Sequence, residues 1–298
     1  MSTHSARRSN LINLQLWMSL VISSCVTCVL IAAQIPRSFA ENIGSELAPA
    51  VPAGKRSAKG WPDATNTGVP AGIVLEPSGD LVISQAGAVV SGLDIRGAVE
   101  VNAPNVTLTN SRIRAAKFDV VGIKSGMQGV VIQDCEIDGT GIHNEGSNGI
   151  RGSGTFLRNN IHHVENGMTL TGSATILDNY IHDLLASGSP HYDGIQIDGG
   201  VSDVVIRHNT VINSHAQTSA VMIDSYFGAI SNIAVDSNRL IGGGYTVYSD
   251  GQFSGGTISG VSFTGNRLGK GRWGYRSFVK NVPEWFGNVD DLTGRVLR

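Results

Sequence analysis

One spacing recurs along the chain: an apolar residue, two intervening residues, a small or amide residue, one more residue, then a second apolar residue. It occurs at Val90–Ile95, Leu108–Ile113, Ile132–Ile137, Phe156–Ile161, Ile176–Ile181, Ile206–Val211, Val235–Leu240 and Phe263–Leu268. Successive copies start 18 to 30 residues apart, and the fourth position settles on Asn159, Asn179, Asn209, Asn238 and Asn266. Short β-rich units at such intervals build solenoids, in which each coil buries its apolar face only by stacking on its neighbours. An Asn at a fixed turn position tolerates the left-handed conformation and can pair its amide with the equivalent residue one coil away. The fold class predicted is therefore all-β, a single-stranded parallel β-helix with capped ends.

Composition fits narrow coils: 38 glycines among 298 residues, with 6% aromatic and 15% charged residues. Helical periodicity is confined to the first 40 residues. There, Arg7 and Arg8 precede an apolar run from Leu11 to Ala33, and Ser38-Phe39-Ala40 puts small residues at the −3 and −1 positions. This pattern predicts an export signal over residues 1–40, cleaved before Glu41, and hence a secreted or periplasmic protein. The competing reading is an uncleaved anchor, because the run approaches the ~20 residues that span a bilayer. With cleavage no stable membrane span is expected.

Residues 41–60 lack periodicity and read as a flexible linker, leaving 61–298 as the β-helix domain with its caps. The irregular stretch from Trp61 to about Asp80 is expected to be the leading cap. Trp273, Tyr275, Phe278, Trp285 and Phe286 are expected to close the other end. The chain carries 22 Lys+Arg against 24 Asp+Glu. Three of the arginines and none of the acids lie in residues 1–40, so the remainder is net acidic, which argues against a nucleic-acid partner. Cys25 and Cys28 fall in the signal, and Cys135 is expected to be a small packed side chain at the ladder position.

A second strand follows each Asn turn. Alternation places Ile123, Ile150, Met168, Ile195, Val221 and Val247 inside, with Lys124, Arg151, Thr169, Gln196, Met222 and Tyr248 outside. Two positions further on, Asp198, Asp224 and Asp250 share an outward row. Two carboxylates one rung apart, ~5 Å, repel by roughly 3 kcal/mol at an effective dielectric of about 20. A bound Ca²⁺, a retained proton or splaying into water would relieve that repulsion. Ca²⁺ on these three acids is the one cofactor the pattern suggests.

The stretches Trp61-Pro62…Gly68-Val-Pro-Ala-Gly72, Ser189-Pro-His-Tyr-Asp-Gly-Ile-Gln196, Ile206–Thr210 and Gly243–Tyr248 resemble the right-handed parallel β-helix, pectin-lyase-like superfamily, in particular secreted bacterial β-helix-repeat proteins. The resemblance implies a right-handed coil and a polysaccharide, most simply an acidic one, as substrate. Superfamily lyases and epimerases neutralise a uronate with Ca²⁺ or with Arg, Lys, Asn and Gln side chains, then remove the C5 proton with a base.

On that basis Arg151, with Lys124, is expected to hold the uronate and His191, supported by Asp193, to move the proton. Gln196, Asn166, Thr169 and Tyr248 are expected to contact sugar. The leading expectation is a polysaccharide lyase acting by β-elimination, as a monomer. C5-epimerisation, hydrolysis by ladder acids, and a non-catalytic carbohydrate-binding or cell-surface β-helix are the alternatives. His162 and His182 follow Ile161 and Ile181 directly and are expected to stack. His143, His163 and His215 are candidates for a shared histidine edge.

Overall fold

The computed structural model describes residues 60–143 and 146–298. The export signal, nearly all of the linker, Cys25 and Cys28 lie outside the described residues. The described chain is a right-handed parallel β-helix whose strands fall on three faces, with no helix among the described residues. Face one is a ten-stranded parallel sheet running from Glu76–Ser78 to Val289–Asp290. Faces two and three together form a sixteen-stranded sheet, because Asn148–Leu157 and Asn166–Leu177 run through both without a break. Parallel strands joined by crossovers wind right-handed in nearly all proteins, the hand that the sequence resemblance implies.

The recurrent spacing now has a physical reading. Its first apolar residue points inward from face three, its second from face one, and the amide turns the corner between them. Ile113, Ile137, Ile161, Ile181, Val211, Leu240 and Leu268 stack rung on rung beneath face one. Leu108, Ile132, Phe156, Ile176, Ile206, Val235 and Phe263 do the same beneath face three, all of them buried. Each such side chain contributes about 1.5–3 kcal/mol on burial.

The corner asparagines form a fully buried ladder. Asn209 Nδ2 donates to Ile176 O at 2.9 Å, to Arg207 O at 3.0 Å and to Asn238 Oδ1 at 3.0 Å. Its Oδ1 accepts from the backbone and the amide of Asn179, both at 2.9 Å. The same bonds recur at Asn159, Asn179, Asn238 and Asn266, and the ladder runs one rung further to Asn288. The left-handed residue is not the Asn, however. It is the residue before it: Arg158, Asp178, His208 and Ser237 have φ of 53°, 56°, 51° and 53°. A non-glycine residue in that region costs about 1–2 kcal/mol, which the amide's bonds to three backbone groups offset. Cys135 takes the same corner, buried, its Sγ donating to Gln133 O at 3.1 Å, and burial pushes its thiol up to about 12.

Glycine opens the strands of face two for a steric reason. A Cβ on Gly194 would sit 2.1 Å from Val211 Cγ1, and one on Gly167 would sit 2.4 Å from Ile181 Cγ2. At these coils only a residue with no side chain fits, whereas Val120 and Ala220 hold the equivalent position on coils before and after them.

The ends differ from expectation in two respects. Trp61 stacks on His208 with ring centroids 5.3 Å apart, and Gly68 N donates to Arg158 O at 2.9 Å. Residues 61–68 therefore lie as a strap across the corner of middle coils rather than capping the first coil. At the other end the aromatic cap is present. Phe278 and Trp285 pack beneath Phe263, and Trp285 Nε1 donates to Leu297 O at 2.9 Å. Trp273 and Phe286 stand outside that cap and remain exposed.

Candidate functional site

Face two carries the outward row that stacking should create. Arg151 pairs with Thr169, Thr169 with Gln196, and Gln196 with Met222. Val221↔Val247 and Asp224↔Asp250 continue the register to Tyr248. Lys124 is not in the row. Arg151 pairs with Gly122 and Ile150 with Val121, so Lys124 falls two residues further along its coil, exposed. The expected alignment placed Ile123 under Ile150; the actual register is two residues different, and no local signal marks that shift.

A second row begins these strands: Asp119, Asn148, Asn166, Asp193 and Ser219. Asn148 Nδ2 donates to Asp119 Oδ1 at 2.9 Å, and Asn166 Oδ1 accepts from Asp193 N at 3.3 Å. Asp193 is 2% exposed, and its Oδ1 takes both the backbone N–H (3.0 Å) and the hydroxyl (2.8 Å) of Ser219. Burial, with the nearby charges of Asp198 and Asp224, drives its carboxyl well above the usual range. His191 is exposed, and its backbone N–H donates to Glu165 Oε1 at 2.9 Å. Among the described residues no hydrogen bond or ion pair joins His191 to Asp193, so the expected base-and-support pair does not form. Asp193 is held by the next coil, and the ring of His191 is left to solvent. Arg151 leans on Asp119 at 3.5 Å rather than standing clear for a uronate. The histidine edge is absent as well: His215 stacks on Tyr192, His143 meets Phe118 edge-on, and His163 lies on face one.

The ladder of acids resolves into a pair and a neighbour. Asp198 and Asp224, on adjacent coils, are partly buried and hydrogen-bonded to each other. Burial first, and the Asp224 charge next, push Asp198 up to about 7, against the opposing bond from Gln196. Asp224 is raised by burial too, while the N–H of Tyr226, at 2.8 Å, holds it down. Asp198 Oδ1 is buried with no donor reaching it. A proton held between the two carboxyls accounts for both the orphaned oxygen and the raised value. Asp250 turns away, with its two oxygens taken by the backbone and side chain of Gln252 at 2.9 and 2.6 Å. The three acids therefore do not converge on a shared cation, which corrects the Ca²⁺ expectation.

Two aromatic clusters accompany the acids: Tyr248 and Trp273 of one were expected from the sequence, as a sugar contact and as part of the closing cap, whereas Tyr226, Phe227 and Phe253 of the other were not. Directly after Asp224, Tyr226 (58% exposed) and Phe227 (74% exposed) meet at 4.7 Å, with Phe253 5.3 Å from Tyr226. Phe227 N donates to Asp198 O at 2.7 Å, fixing this cluster to the acid-bearing turn. On the other side Tyr245 contacts Tyr248 at 5.6 Å and Trp273 at 5.8 Å. Thr169 Oγ1 donates to Asn148 Oδ1 at 2.6 Å and lies 3.1 Å from Gln196 Oε1. Aromatic residues within two positions of a ladder acid were the available signal.

No protein family and no curated protein matches the chain. Among solved structures it is similar to the Dettilon tailspike protein, at 14% identity and a TM-score of 0.38. The likeness covers 74% of this chain, which spans 60% of the length of that tailspike chain.

Proposed function

We propose that this chain binds a polysaccharide along face two and hydrolyses it, with Asp198 and Asp224 as the acid–base pair. The observation that carries the reading is a pair of partly buried carboxyls on adjacent coils, one with a buried oxygen that no donor reaches, beside the exposed rings of Tyr226 and Phe227. With its value near 7, Asp198 keeps a proton at neutral pH and delivers it to the glycosidic oxygen. Asp224, as a carboxylate, takes a proton from the water that attacks the anomeric carbon as the glycosidic C–O bond breaks. Tyr226, Phe227, Tyr248 and Trp273 offer flat apolar faces to the C–H faces of sugar rings. The carboxyl pair, with Asp250 close by, disfavours a uronate in the cleaved position and favours a neutral sugar there. Export, expected from residues 1–40, belongs to the same reading, since such a polymer is met outside the cytoplasm.

β-Elimination at a uronate is the second reading, supported by the exposed His191 in the loop leading into face two and by Arg151 in its outward row. One panel separates the two. The purified protein is incubated with neutral and acidic polysaccharides, following new reducing ends and the absorbance of unsaturated uronates. Reducing ends without that absorbance, lost in Asp198→Asn and kept in His191→Ala, support hydrolysis. Absorbance lost in His191→Ala supports the lyase. Retained polymer binding without any product overturns both and leaves a binding module.

A further inference from the structure

Face one, which the proposed site does not use, brings three metal-ligating side chains to one point. Asp138 and His162 pair across adjacent coils at the ends of their strands, and His163 follows immediately. Consecutive strand residues normally point to opposite faces. His163, however, has a φ of 55°, and that left-handed turn swings its ring back beside His162. As a result His162 Nδ1 lies 2.9 Å from His163 Nδ1, His163 Nδ1 lies 3.0 Å from Asp138 Oδ1, and His162 Nδ1 lies 3.7 Å from the same oxygen. Among the described residues this is the one group of three such ligands within reach of a common ion.

We propose that Asp138, His162 and His163 form a binding site for a divalent transition cation of the Zn²⁺ class. Ligand bonds of ~2.0–2.1 Å in a tetrahedral site set its ligand atoms about 3.3 Å apart, and the three edges here bracket that value. The hydrogen-bond arithmetic points the same way. His163 Nδ1 faces both Asp138 Oδ1 and His162 Nδ1, and one N–H cannot serve both partners. Two bare nitrogens and a carboxylate oxygen turned toward one cation satisfy all three.

The surroundings are those of a metal site. Glu136 Oε1 stands 3.9 Å from His162 Nε2, the nitrogen the ion would not use, beyond hydrogen-bond reach but on the side from which a carboxylate orients a metal-bound imidazole. Arg114 engages the other Asp138 oxygen at 3.2 Å, and Oδ1, which accepts the Thr140 N–H at 2.8 Å, keeps a second lone pair for the ion. His182, whose ring lies 5.2 Å from that of His162, is already occupied by Asp183 and Asn160 and adds no ligand. Three protein ligands leave a fourth position to water. Because Asp138 sits on one coil and both histidines on the next, the ion would also clamp the two coils together.

The test uses the full chain, without a polyhistidine tag and stripped of metal, titrated with Zn²⁺ and separately with Co²⁺. The wild type is expected to bind one more equivalent of Zn²⁺ than His163→Gln or His162→Gln. Its Co²⁺ form should give the intense visible absorption of a tetrahedral site, and Zn²⁺ should raise its unfolding temperature but not that of either variant. Glu136→Gln should bind about 10–100-fold more weakly, and His191→Ala should match the wild type. Equal Zn²⁺ stoichiometry and affinity in the wild type and in well-folded His162→Gln and His163→Gln would overturn the assignment, as would an octahedral Co²⁺ spectrum unchanged by these substitutions.

Discussion

Raising the pH through neutrality should loosen this protein, and Asp198→Asn should remove much of that loss. In the folded chain Asp198 holds its proton up to about 7, against an ordinary value of 3.8. Between those values the native state binds a proton that the unfolded chain has released. Stability is therefore full below the lower value and declines as pH rises to the upper one. Each tenfold gain in proton affinity on folding corresponds to about 1.4 kcal/mol, so a gain of roughly a thousandfold gives about 4 kcal/mol. Partial exposure of Asp198 screens this to about 2–4 kcal/mol.

Asparagine is neutral and nearly the same shape, so it stands in for the protonated acid. Near pH 4 the variant should unfold within about 1 kcal/mol of the wild type, and near pH 8 it should be more stable by about 2–4 kcal/mol. Urea denaturation at the two pH values, compared at constant m-value, measures this difference. Asp193 and Asp224 are also raised, and Asp198 acts on both, so the gap between the proteins reads the Asp198 carboxyl together with its interactions with these two acids. The reasoning fails if wild type and variant lose equal stability between the two pH values.

Other consequences follow from the same geometry. Asn209→Ala strands the Ile176 carbonyl and the Asn179 N–H inside the corner; at about 1–3 kcal/mol for each orphaned group, urea unfolding should show a loss of about 2–6 kcal/mol. Cys135, buried with its thiol pushed up to about 12, should not react with a thiol reagent until the chain is unfolded; rapid labelling of the native protein would contradict this. Tyr226→Ala and Phe227→Ala should each weaken polymer binding severalfold, equivalent to about 1 kcal/mol per lost ring contact, with thermal stability nearly unchanged because both rings are exposed. Gly194→Ala should destabilise by about 1–3 kcal/mol through overpacking against Val211, read as a lower denaturation midpoint.

Much of the fold could be read from the chain because its rules are local. Whether Ile176 and Ile181 point inward, and whether Asn179 turns the corner, depends on five or six consecutive residues, and each coil repeats that decision. The last rung escaped that reading, because Asn288 keeps the corner while Asp290 stands opposite Leu268 where the spacing calls for an apolar residue. The outward pairing of Arg151, Thr169, Gln196 and Met222 followed from the same repetition. Lys124 did not, because the loop between its strand and Arg151 is longer than the repeat suggests, and loop length rather than local pattern sets register.

What the amino-acid order determined by itself was the coil: its apolar stripes, its amide corners and the net charge of what surrounds them. Tertiary structure alone decided which polar groups share an environment. It buried Asp193 against Ser219, joined Asp198 to Asp224 beside the exposed rings of Tyr226 and Phe227, laid residues 61–68 along the flank, and turned His163 back onto His162 and Asp138. The reason is distance. A side chain's partner in a solenoid lies about 20–30 residues away along the chain but only ~4.8 Å away in space, and the loops between them alone determine which residues those are.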